Sequence, residues 1–77
     1  MKRLILFLIR RKLHVTLYEP FKFSNQKSDN NFYYITNDAV MKYHYLACRT
    51  MESNVSLNWL LNKNCKILTG KEAGFVD

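Results

Sequence analysis

Apolar and polar positions change rhythm several times along the chain. Residues 3–9 are apolar on both faces, Leu4-Ile5-Leu6-Phe7-Leu8-Ile9, and a short run of that kind predicts a buried central strand. A helix competes for it, because Leu and Arg are good helix formers and residues 1–17 hold no breaker. Leu13, Val15 and Leu17 then alternate with His14, Thr16 and Tyr18, a period of two that predicts a half-buried second strand. Arg10-Arg11-Lys12 would be the turn between them, although it lacks the Gly, Asn or Asp of a tight hairpin. Pro20 interrupts this strand, which resumes through Phe21-Lys22-Phe23 at a bulge or an edge position.

The polar run from Ser24 to Asn31 reads as a loop, and Phe32-Tyr33-Tyr34-Ile35-Thr36 as the next strand. Thr36-Asn37-Asp38 offers short polar oxygens of the kind that accept from the first turn of a helix. Residues 39–52 then fit helical spacing. Val40, Tyr43, His44, Ala47 and Met51 fall on one face, and Lys42, Tyr45, Arg49 and Glu52 on the other. Ser53-Asn54 would end this helix and cap a shorter one whose buried stripe is Leu57, Leu60 and Leu61, with Trp59 beside it. Asn64 suits a left-handed C-terminal position, and residues 65–69 suit a final strand ended by Gly70. The predicted fold class is α+β. A small, mostly antiparallel sheet of three strands, with a fourth available at the C-terminus, packs on one long and one short helix. Residues 1–70 form a single domain and residues 71–77 a tail.

Composition narrows the function more than the fold. A chain of 77 residues buries only about 60–65% of its unfolded surface, so a deep enzyme pocket would compete with a small core. The 48% hydrophobic content is too high for a disordered tail. Both glycines come late, at positions 70 and 74, which leaves no Gly-rich phosphate loop. Paired CxxC, HExxH and GxSxG motifs are missing too. The expectation is therefore a protein that is not an enzyme, with no cofactor and no small-molecule substrate.

Twelve Lys and Arg against six Asp and Glu give a formal charge of +6. The excess is early: Lys2, Arg3, Arg10, Arg11 and Lys12 precede the first acid, Glu19. Such a cluster attracts nucleic acid, anionic lipid or an acidic protein surface, although it also serves plain solubility. Lys42, Tyr45 and Arg49 on one predicted helix face would add to it, and Lys12, Lys22 and Lys27 flank Tyr18, Phe21 and Phe23. Basic groups that neutralise phosphates, mixed with rings that stack on bases, are what nucleic-acid binders use. Sheet-anchoring tyrosines and solvating lysines give the same composition. Adjacent Tyr33 and Tyr34 point to opposite sides of a regular strand, so one of them must leave the core.

His44 and Cys48 stand four apart, a spacing that puts two zinc ligands on one helix face, with Cys65, His14 or Asp38 as further donors. The same residues serve equally as packing groups, since free Cys behaves as a small hydrophobe, and no metal is assigned. As nucleophile and base the pair lacks an orienting third residue. Two cysteines allow at most one disulfide, which predicts free thiols and a cytoplasmic location. The apolar run of six followed at once by Arg10-Arg11-Lys12 is too short for a signal peptide or a spanning helix. Residues 1–13 as a basic amphipathic helix would suit a membrane surface, but the all-apolar run 4–9 lacks the polar side such a helix needs, so a membrane partner is not expected.

Asn54-Val55-Ser56-Leu57-Asn58-Trp59-Leu60-Leu61 resembles the closing helix of phage-repressor helix-turn-helix domains over about ten residues. The upstream chain reads as strand, so none of that family's DNA-binding residues carries over. The element order is also similar to that of the sheet-plus-helix arm-binding domains of phage integrases. Eight Asn and eight Lys against three Ala point to an AT-rich gene, common in phages and mobile elements. The sequence reading is a small basic regulatory binding protein. Its partner is nucleic acid through Arg10, Arg11, Lys12, Lys42, Tyr45 and Arg49, or alternatively an acidic protein surface.

Overall fold

Residues Lys2–Leu13 form one helix, α1, where the apolar run predicted a strand. A strand needs a turn at Arg10-Arg11-Lys12, and none of those residues favours one, whereas all three propagate a helix. Leu6, Ile9 and Leu13 follow helical spacing into the core, and the basic last turn complements the helix dipole. His14 ends α1 in the left-handed conformation (φ 59°), with N–H groups of His14 and Val15 closing on the Arg11 and Arg10 carbonyls. The alternation at residues 13–18 is not a strand either. Val15 drops into the core, while the Glu19 carboxylate accepts from the Thr16 amide (2.9 Å) and hydroxyl (3.3 Å) to close a turn.

The computed structural model describes residues 1–26 and 30–75. After α1 come β1 (Phe21–Phe23), β2 (Asn31–Ile35), β3 (Val40–His44), β4 (Arg49–Glu52), α2 (Leu57–Asn62) and β5 (Ile67–Thr69), then a 3₁₀ turn at Gly70–Ala73. The fold is α+β, with five strands where three or four were expected. They lie in the order β4-β3-β2-β1-β5, and every pairing is antiparallel.

The largest departure is residues 39–52, a β-hairpin rather than a long helix. Val40 and Tyr43 are good strand residues, and β3 pairs with β2 over its full length, from Ile35 opposite Val40 to Asn31 opposite His44. The helix-start signal works as a hairpin turn instead. Thr36 Oγ1 accepts from the amides of Asp38 and Ala39, each at 3.1 Å, and the Thr36 amide donates to the Ala39 carbonyl.

The short helix stands where the sequence placed it, but its caps differ. Ser56, not Ser53 or Asn54, accepts from the Trp59 amide at 3.3 Å. At the other end Lys63 is extended, and Asn64 is not left-handed. The cap comes from α1. The Lys12 ammonium donates to the carbonyls of Leu60 (3.1 Å), Leu61 (2.7 Å) and Lys63, placing a cation on carbonyls that a helix end leaves unpaired. Both helices share one core with the inner sheet face: Leu6, Ile9, Leu13 and Leu60 pack with Phe21, Phe23, Tyr33, Ile35 and Val40. Beyond Gly70, the segment expected as a tail carries the 3₁₀ turn, whose Ala73 is buried.

Candidate functional site

Strand alternation divides the sheet's side chains between two faces. Tyr33 and Ile35 of β2 are buried under the helices, so Phe32 and Tyr34 point the other way. The β2–β3 register pairs Phe32 with Tyr43 and Tyr34 with Met41, which carries the same outer face onto β3. The rings there form one connected patch. Phe32 lies 5.2 Å from Tyr43, 5.6 Å from Tyr45, 6.4 Å from Tyr34 and 5.3 Å from Phe75. Tyr18 extends the patch by stacking on Tyr34 at 5.9 Å. Tyr18 owes its place to a left-handed backbone (φ 64°) and to its amide, which donates to the Ile35 carbonyl at 3.0 Å. It is the most exposed of these rings at 64%.

One buried lysine lies against these rings. The Lys22 ammonium sits 5.2 Å from the centre of the Tyr45 ring, a cation–π distance. Among the described strand residues the one acid is Glu52, at the end of β4, where it meets Lys2 at 3.5 Å. The Tyr43 phenol is held above the ordinary tyrosine range, first by its hydrogen bond with the Cys48 side chain, then by that group's charge and by burial. Phenolate formation on Tyr43 therefore needs a higher pH than usual. Cys48→Ala is expected to lower the tyrosinate midpoint, read as the ultraviolet difference from a Tyr43→Phe control.

The structure disperses the residues that the sequence grouped. Arg10 and Arg11 lie on α1, their guanidinium carbons 5.7 and 6.0 Å from the centre of the Phe7 ring. Lys12 caps α2. Lys42 and Arg49 do not share a helix face with Tyr45. Lys42 is paired with Tyr33 and Arg49 with His44, on the helix-bearing side of the sheet, while Tyr45 joins the outer rings. Lys27 lies outside the described residues. His44 and Cys48 flank the β3–β4 turn rather than one helix face. His44 Nδ1 accepts from the Ala47 amide at 3.2 Å, and Cys48 Sγ donates to the Tyr45 carbonyl at 3.4 Å. Cys65 packs against the core, and both cysteines are free thiols.

Tyr43 and Phe75 were missed because their segments read as helix and tail. A usable signal was present. Phe32-x-Tyr34 and Tyr43-x-Tyr45 are two aromatic pairs at strand spacing, on either side of a Thr-Asn-Asp turn. The resulting patch offers flat, half-open ring faces beside a lysine, which suits stacking on planar ligands. Comparison with protein-family profiles, curated proteins and solved structures finds no match to this chain.

Proposed function

We propose that the protein is a small basic binding protein without chemistry of its own, and that its ringed sheet face takes single-stranded nucleic acid. The observation that supports this most is the connected patch of Tyr18, Tyr34, Phe32, Tyr43 and Tyr45 on the side of the sheet away from both helices. Every base has a π face, so such a patch needs no base-pair edge to read. Paired bases in a duplex keep their faces stacked on each other, so single strands fit better than duplex. The net charge of +6 adds a salt-sensitive attraction to phosphate.

The test is an electrophoretic shift at low salt with single-stranded DNA, RNA and duplex. Single strands should shift at micromolar protein, duplex should shift less, and rising salt should weaken both. Tyr18→Ala and Tyr45→Ala should each weaken single-strand binding by ~1–3 kcal/mol. Both rings are partly exposed, so circular dichroism should stay unchanged. No shift with any of the three would remove this reading and leave an acidic protein surface as the partner.

A further inference from the structure

In α1 the residues of the apolar run divide between two faces. Leu6 and Ile9 enter the core, while Leu4, Phe7 and Leu8 stay exposed at 56%, 45% and 40%. Leu4 and Leu8 are one helical turn apart, and Phe7 lies beside them. Arg3, Arg10 and Arg11 flank this stripe, and α1 contains no acid. Arg3 lies 3.7 Å from Asp38, with both side chains well exposed. Among the described residues neither Arg10 nor Arg11 meets a carboxylate. At the C-terminal end of the stripe, Phe7, Arg10, Arg11, His14, Val15 and Thr16 line an open groove of about 360 Å³.

We propose that this face of α1 lies on an anionic lipid surface. Leu4, Phe7 and Leu8 enter the boundary between headgroups and acyl chains, and Arg10 and Arg11 hold lipid phosphates at the groove. Charge complementarity favours this occupant. Three arginines around the stripe repel a second copy of the same face, and aliphatic Leu4 and Leu8 have nothing to do on a nucleic-acid backbone. A stripe of three side chains is also far smaller than the roughly 800 Å² per partner of a standard protein interface. A bilayer surface asks for no matching shape and takes Leu and Phe beside Arg. Among the described residues no helix is long and apolar enough to cross a membrane, so α1 would lie along the surface.

The experiment is co-sedimentation of the full chain with vesicles of phosphatidylcholine mixed with phosphatidylglycerol, against vesicles of phosphatidylcholine alone. The protein should pellet with the mixed vesicles, much less with the neutral ones, and be released by high salt. Leu4→Gln/Phe7→Gln/Leu8→Gln and Arg10→Gln/Arg11→Gln should each lower partitioning about tenfold or more, with the circular dichroism spectrum retained in both and oligonucleotide binding retained in the charge-neutral triple variant. Should the triple variant lose its fold, the arginine pair carries the test alone. Failure of the unaltered chain to pellet with mixed vesicles overturns the proposal and leaves an acidic protein as the occupant. Undiminished pelleting of a folded triple variant, or of the arginine pair, overturns it equally.

Discussion

Ile9→Ala should destabilise the protein by about 2–5 kcal/mol, the usual cost of deleting a buried Ile side chain and leaving a cavity. Ile9 is fully buried, in the core cluster with Leu6, Leu13 and Leu60. Domains of this size have about 0.05–0.15 kcal/mol of stability per residue. A loss at the upper end would leave much of the chain unfolded at room temperature. Leu8→Ala, one residue earlier on the exposed side, should change stability far less. Leu6→Ala should behave like Ile9→Ala. That pattern separates a helix from a strand. In a strand, positions 6 and 8 share a face and 9 lies opposite, whereas in α1 positions 6 and 9 share the buried side. Urea melts of the three variants, followed by far-ultraviolet circular dichroism, read the difference directly.

Lys12→Met should cost about 1.5–3 kcal/mol, the range for hydrogen bonds made by charged groups. Methionine keeps much of the stem but offers no donor, so the Leu60 and Leu61 carbonyls lose the Lys12 ammonium. The loss should appear as a lower urea midpoint with an unchanged slope. Affinity of the folded variant for single-stranded oligonucleotide should hold. A large fall in affinity with unchanged stability would make Lys12 a partner contact after all. Replacing Arg10, Arg11 and Lys12 together would mix this structural effect with any binding effect, so the lysine is best separated from the arginines.

The sequence made some elements legible and hid others for identifiable reasons. Phe21–Phe23 and Phe32 onward are dense in strand-forming residues, and Leu57, Leu60 and Leu61 have a helical stripe close to a serine cap, so local chemistry and final structure agree there. Residues 39–52 were ambiguous because Thr36 can accept from amides at a helix start or in a hairpin turn with the same oxygen. Only the long pairing with β2 decides between them, and the spacing within residues 39–52 taken by themselves does not contain it. The β3–β4 turn has no glycine among residues 45–48; Cys48 takes the positive φ (50°) and the His44 ring accepts an amide. Residues 3–9 were ambiguous because an element apolar on every side shows no period. The basic candidates failed to gather for a related reason. Lys42, Tyr45 and Arg49 share a face at a helical repeat, but a two-residue repeat sends Tyr45 to the other side of the sheet from Lys42.

The position of β1 sets the order in which the chain can finish folding. It lies between β2 and β5, paired with Phe21 opposite both Tyr33 and Thr69. During synthesis the hairpin of β2 and β3 can form early from neighbouring residues. One edge of β1 stays unpaired until residues 67–69 have left the ribosome, and α1 waits for α2 at residues 57–62. Closing such distant segments is slow relative to local pairing. For that interval the nascent protein presents a bare strand edge and the apolar side of α1 together, the combination that invites wrong pairing between chains. Slow translation of the codons for residues 57–69 would prolong that exposure.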